Sequence, residues 1–283
     1  MKKLLSLEAL LALQRRCRFS LLLSTLFFLI ALFALVSRWT AAYALIVFSC
    51  LFYMLSRRLS KRRYAEAFTQ VRMQHLFSKD GRGFSSYSPS ESAENALHDR
   101  GLISGPPCIS GAKFHHVVHG TLSGLPVSIG EAAFVRRSAQ HAIHSVAGTL
   151  ITVSGLLPPE EKWVILRNDP FASFCAPGEY RSAGYAPFVP EADALPANTT
   201  AWQCPSASCT FLPACADTLA SGTAEAPAAL AACDGALSLF VTGAFYAPGN
   251  VDFSAAISPE AIDRFQFTPL TLIDQLVKHI AHA

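Results

Sequence analysis

Three histidines fall within the stretch F-H-H-V-V-H-G, Phe114–Gly120, and His141 and His144 follow a short distance on. Imidazoles at such spacing can hold a metal ion or move protons, so this cluster is the first place to look for chemistry. On an extended strand side chains alternate between faces, which predicts His115, Val117 and His119 on one side and His116 and Val118 on the other. His115 and His119 would then share a face, and His141 and His144 can add ligands if their segment is helical. Zinc, however, wants a third or fourth ligand with an ordered outer shell. None of H-E-x-x-H, C-x-x-C or H-x-E with P-C-x-x-C occurs. The stretch therefore reads as a hairpin strand carrying imidazoles, with a metal centre on His115, His119, His141 and His144 as the alternative.

A second cluster consists of Cys204, Cys209 and Cys215, spaced by four and five intervening residues. That spacing matches no common zinc or iron–sulfur pattern. Cys204-Pro205 and Cys209 can approach around a turn and form a reversible disulfide, whereas a catalytic thiol needs an adjacent base. Free structural thiols are the plainer reading, and a thiol-dependent enzyme on these cysteines is the alternative. G-R-G-F-S-S at 81–86 lacks the G-K-[ST] of a phosphate loop and reads as a linker. G-T-L-S-G at 120–124 has its serine one position away from the G-x-S-x-G of a hydrolase elbow. Glu160-Glu161 follows two prolines and reads as a turn before the next strand. No cofactor is implied, and no reaction is disclosed.

The elements that must carry these residues begin with two apolar runs. Phe19–Val36 is eighteen residues without a charge, and Ala41–Leu55 is a second uncharged run beyond the spacer S-R-W-T. Eighteen helical residues span roughly 27 Å, close to the hydrocarbon core of a bilayer at about 30 Å. A cleaved signal peptide would start closer to the N-terminus and end in an A-x-A site, and neither is present. The pair predicts a transmembrane helical hairpin over 19–56.

Cations set its orientation. Lys2, Lys3, Arg15, Arg16 and Arg18 precede the first span, Arg57, Arg58, Lys61, Arg62 and Arg63 follow the second, and only Arg38 lies between. Basic residues near span ends stay on the cytoplasmic side, which predicts both termini there. Trp39 and Tyr43 stand where aromatic anchors for the far interface belong. Arg15, Arg16, Arg18, Arg57, Arg58, Lys61, Arg62 and Arg63 thus form a basic collar able to meet anionic lipid heads.

The first 63 residues hold 11 of the 23 Lys and Arg and one of the 20 acids, a net +10. The remaining 220 hold 12 and 19, a net −7, so a basic anchor is joined to an acidic domain. An acidic domain is a poor nucleic-acid binder, because phosphate neutralisation dominates that affinity. Cys108, Cys175, Cys204, Cys209, Cys215 and Cys233 lie beyond the hairpin, and Asn198-Thr199-Thr200 is a formal sequon. Both features fit an exported domain, but the cation asymmetry places these thiols in a reducing compartment.

Beyond the hairpin, Tyr64, Phe68, Val71 and His75 recur on one helical face and predict a stalk over 57–80, ending at Lys79-Asp80-Gly81. A serine-rich connector and a short helix over 93–100 lead into the domain proper, 81–283. K-F-H-H-V-V-H-G and L-P-V-S-I-G predict a hairpin. S-V-A-G-T-L-I-T-V, K-W-V-I-L-R and A-L-S-L-F-V-T-G-A-F-Y add strands. Asn168-Asp169-Pro170 resembles a helix start, residues 176–200 form an irregular loop, and S-P-E-A-I-D-R-F and T-P-L-T-L-I-D-Q-L-V-K-H-I close the chain as capped helices. In the last, Ile273, Leu276, Val277 and Ile280 form a stripe suited to the sheet. The expected class is α+β: a transmembrane hairpin and stalk, then a cytoplasmic domain with a mainly antiparallel sheet and C-terminal helices.

This order of signals resembles an uncharacterised bacterial family known as domain of unknown function 3137. The features that carry the resemblance are Tyr87, A-L-H-D-R-G-L-I, H-G-T-L-S-G-L-P-V-S-I-G-E with Glu131, Phe171 and Phe174, C-T-F-L-P-A-C-A-D-T-L, and the L-S-L-F-V-T-G-A-F-Y strand with its closing helix. Here His115, His116 and His119 stand where acidic residues are expected, and 176–200 reads as an insertion. The resemblance implies two spans in a bacterial inner membrane, a stalk and a cytoplasmic α+β domain, and no established reaction. The functional expectation is a membrane-anchored binding or scaffold module whose partners are the lipid bilayer and a protein or small ligand.

Overall fold

No glycine or proline occurs before Gly81, so nothing interrupts backbone hydrogen bonding through the apolar start of the chain. Two long helices result, α1 (Leu7–Val36) and α2 (Ala42–Leu76). The computed structural model describes residues 6–37, 42–79, 81–93, 96–103, 113–137, 143–167, 177–188, 199–221, 228–247 and 259–282. It divides into a helical unit, 1–76 with 247–265, and a sheet unit, 77–246 with 266–283.

In the helical unit, Ser6 caps α1 by accepting from Ala9 N at 3.2 Å. The segment before the first apolar run is thus helical from Leu7 and continuous with it. α1 and α2 pack along each other, with Cys17 Sγ directed to Ser60 O at 3.8 Å and Ser49 Oγ to Phe27 O at 3.4 Å. Both helices are long and apolar enough to cross a membrane by length and composition. Phe19, Leu22 and Phe33 of α1 and Tyr43, Phe48 and Met54 of α2 are exposed.

The helix expected to continue beyond the second apolar run is the later part of α2, which runs to Leu76 and packs into a cluster. Leu10 and Cys17 of α1 bury against Tyr64 and Val71 of α2 and against Ile262 of α6 (Pro259–Asp263). The Arg72 guanidinium sits 3.5 Å from the Phe265 ring centroid, and His75 Nε2 lies 3.1 Å from Asp263 Oδ1. α2 stops at Leu76, and Phe77 already belongs to the sheet unit.

In the sheet unit, nine strands among the described residues form one sheet in the order β1-β2-β3-β4-β9-β8-β5-β7-β6, each neighbouring pair antiparallel. They are β1 (Arg82–Ser92), β2 (Lys113–Leu122), β3 (Leu125–Arg137), β4 (Ile143–Ser154), β5 (Trp163–Arg167), β6 (Ala186–Pro187), β7 (Thr199–Gln203), β8 (Ala228–Cys233) and β9 (Ala236–Thr242). Helices α3 (Ala96–Asp99), α4 (Pro177–Ser182), α5 (Leu212–Ser221) and α7 (Thr268–His282) accompany them. Two tight hairpins use positive φ at both turn residues, Ser123-Gly124 and Asp234-Gly235, whose twist matches that of the strands.

One sheet face carries Phe134, Leu150, Val164, Trp202 and Phe240, buried with Leu97 of α3, Leu102 and Tyr180 of α4. Tyr180 stacks on Trp202 at 5.7 Å and donates to Leu102 O at 2.7 Å. The stripe Ile273, Leu276, Val277 and Ile280 of α7 is buried, and α7 contacts β4, β9 and α5. Asp274 of α7 receives Arg82 Nη2 at 3.2 Å and Lys278 Nζ at 3.0 Å.

Two expectations need correction. The serine-rich segment after the stalk, with G-R-G-F-S-S inside it, is edge strand β1 rather than a connector, because Tyr87 buries its ring and pairs opposite Val118. The loop 176–200 holds α4, β6 and the start of β7, while 189–198 lies outside the described residues. The expected strand S-V-A-G-T-L-I-T-V is β4, which begins at Ile143, so His144 lies on a strand and not in the helical setting its ligand role requires. The helix start at Asn168-Pro170 lies outside the described residues.

Candidate functional site

β2 does not keep the simple alternation. His116 takes a positive φ of 55°, and the β2–β3 register shifts between His115 and Val118. His115 pairs with Glu131 and His119 with Ser128. Those partners lie three apart on β3, which runs without interruption against β4, so they face opposite ways. The bulge therefore puts His115 and His119 on opposite faces, correcting the shared face that strand alternation predicts. Val117 lies on the His119 face and Val118 on the other, and both are buried because the sheet is covered on both sides there.

The other members of the proposed metal set do not join them. His115 is exposed, His144 of β4 pairs with Arg136 of β3, and His141 lies outside the described residues. No group of three or more His, Cys, Asp or Glu side chains placed to hold a metal ion occurs among the described residues.

What the bulge builds is a cleft of about 270 Å³ on the α3 side of the sheet. Its floor is Phe114, Val117, Ser128, Gly130, Leu150 and Thr152 of β2–β4, with Glu91 of β1 and Ala96, Asp99 and Arg100 at its walls. His119 Nε2 lies 3.1 Å from Glu91 Oε1 and 3.3 Å from Oε2, each side chain about two-fifths exposed. Thr152 Oγ1 and Ser238 Oγ share a hydrogen bond at 3.2 Å. Gly130 has a structural reason: a Cβ there would meet the Phe114 ring at 2.7 Å, so only glycine lets that ring line the floor. Gly101, φ 70°, closes α3 with Gly101 N donating to His98 O and Leu102 N to Leu97 O. That cap fixes the end of the helix at which Asp99 and Arg100 stand. The lining offers an imidazole–carboxylate pair, a guanidinium, a second carboxylate and hydroxyls around apolar carbon. Such a set recognises a small polar molecule by complementary hydrogen bonds.

His116 serves the opposite side. Its Nδ1 is 2.7 Å from Tyr87 Oη, and its carbonyl accepts from Tyr246 Oη, which also reaches Ile129 O at 3.3 Å. Buried Glu131 accepts from Tyr246 N at 2.6 Å, and Thr149 Oγ1 donates to Ala244 O at 2.7 Å. Burial, then the Glu131 charge, pushes the Tyr246 phenol well above its ordinary range. This network clamps the segment after β9 and leaves Glu131 a structural acceptor.

Glu161 is another buried carboxylate with a structural task. It accepts from Trp163 Nε1 at 2.7 Å, Ser208 Oγ at 2.8 Å and Thr210 N at 2.8 Å, tying the 204–210 loop to β5. Cys204 and Cys209 sit on that loop as free thiols. The Cys204 thiol is lowered, first by its hydrogen bond with Ser206 at 3.3 Å, while burial raises Cys209 and pushes Cys215 up to about 12. Cys215, on α5, is buried and so poorly placed to act as a nucleophile. Cys108 and Cys175 lie outside the described residues.

Sequence reasoning missed Glu91, Asp99, Arg100, Ser128 and Thr152. Alternation in R-G-F-S-S-Y was the available signal for β1, but Glu91 meets His119 only through tertiary pairing. No family model, no curated protein and no solved structure matches the chain.

Proposed function

We propose that this protein is a membrane-anchored binding module, a divergent relative of the two-span family it resembles. α1 and α2 insert as a hairpin into a bacterial inner membrane with both termini cytoplasmic. The sheet unit holds a small polar ligand in the cleft between β1–β4 and α3. The observation that carries the reading is the cleft itself: Glu91, Asp99, Arg100 and His119 converge on apolar carbon in a volume at the small end of ligand sites. Carboxylates and a guanidinium within one cavity favour a ligand bearing both an amine and an acid group. The exposed apolar surface of α1 and α2 and the cation asymmetry support the anchor and its orientation.

The test is a thermal-shift screen of amino acids and other small zwitterions against the full chain in lipid nanodiscs. A binder is expected to stabilise the wild type and to lose its effect in His119→Ala and Gly130→Ala, the latter by displacing Phe114. Equal stabilisation of all three proteins would remove the cleft as the site. A reporter fused after Ala283 is expected to be active only in the cytoplasm; activity only outside overturns the orientation.

A further inference from the structure

The contact of Cys17 Sγ with Ser60 O at 3.8 Å marks a level at which α1 and α2 lie side by side. Around that level α1 carries Arg15, Arg16 and Arg18, and α2 carries Arg57, Arg58, Lys61, Arg62 and Arg63. With a rise of about 1.5 Å per residue, each of these lies within about 5 Å of the contact along the helix axis. Cations some forty positions apart in sequence are thus gathered into one ring. All are exposed except the half-buried Lys61. No Asp or Glu occurs between residues 9 and 65, and Glu66 engages Arg62 at 2.9 Å from one end of the ring. On its other side the exposed apolar surface begins at once, with Phe19 and Leu22 of α1 and Leu55 and Leu51 of α2.

A ring of guanidinium groups bordering hydrocarbon-facing surface lies at the depth of lipid phosphates, whose oxygens match the guanidinium fork. We infer that this ring is a binding surface for anionic phospholipids, selecting headgroups with uncompensated negative charge over zwitterionic ones. The inference rests on the proposed insertion of α1 and α2, and charge complementarity together with continuity with the apolar surface identifies the occupant.

The experiment places the full chain in vesicles of phosphatidylcholine alone or mixed with phosphatidylglycerol, with spin-labelled forms of each lipid. Flotation checks insertion separately. Spin-labelled phosphatidylglycerol is expected to be held at the protein about fivefold over phosphatidylcholine at low salt, the scale of one cation at an anionic surface. The ratio should fall towards one at high salt. A variant with Arg15, Arg16, Arg57 and Arg58 each changed to Gln should lose most of the preference. Failure to float in either mixture sinks the membrane reading. Flotation with no salt-sensitive preference in the wild type overturns the lipid site alone. An undiminished preference in an inserted variant overturns it too, and if the variant inserts wrongly the wild-type salt series decides.

Discussion

The helical and sheet units handle polarity in opposite ways. In the helical unit apolar side chains point outward from α1 and α2, and the charges gather in one ring beyond them. In the sheet unit apolar side chains point inward, and the carboxylates that go in with them, Glu131, Glu161 and Asp274, are held by donors. The proposed insertion of α1 and α2 would set the first surface against hydrocarbon, and the second has the usual apolar interior of a water-exposed fold. Each buried carboxylate in the sheet unit is therefore a structural commitment, whereas Glu91 is partly exposed beside His119, where the proposed ligand would meet it.

That contrast can be broken at several points. The largest effect is expected for Glu161→Ala, which leaves the Trp163, Ser208 and Thr210 donors without their acceptor and should destabilise the sheet unit by about 4 kcal/mol. Urea unfolding of the full chain, followed by the fluorescence of buried Trp163 and Trp202, measures it. A loss under about 1 kcal/mol would mean that Glu161 is not the tie described. Leu276→Ala, at the buried face of α7, should cost about 3 kcal/mol by the same readout.

Leu26→Arg tests the other unit. On a water-exposed helix the change is harmless, but inside a bilayer it opposes insertion by about 3 kcal/mol and should move the chain out of the membrane fraction. Unchanged fractionation would break the comparison at its root. Cysteine alkylation sharpens it more gently. Because its acidity is raised, Cys204 should reach full labelling rate at lower pH than an ordinary thiol, and Cys215 only at high pH. Site-resolved mass spectrometry across pH reads that order. The smallest effect is expected for His119→Ala and Glu91→Ala, about 0.5 kcal/mol or less on urea stability, because the pair is half-exposed. A large loss there would make the pair structural and remove it from the ligand site.

Several elements were legible because their signals are local. The two apolar runs, the α2 continuation into Tyr64 and Val71, the β2–β3 hairpin and the buried stripe of α7 all follow from hydrophobic period and length. β8 was missed although Asp234-Gly235 marks its turn, because A-A-L-A-A-C carries no alternation and buries on both faces. β1 was missed because serines fill the positions that alternate around Phe84 and Tyr87.

The sequence by itself determined where apolar surface would lie, how charge divides between the two parts of the chain, and that no familiar metal or nucleotide motif is present. Only the tertiary structure decided which histidine meets a carboxylate. A single bulge at His116 reverses strand parity, and parity depends on pairing with β3, a partner that local periodicity does not contain. The same holds for the ring of cations, whose common level exists only once α1 and α2 lie side by side.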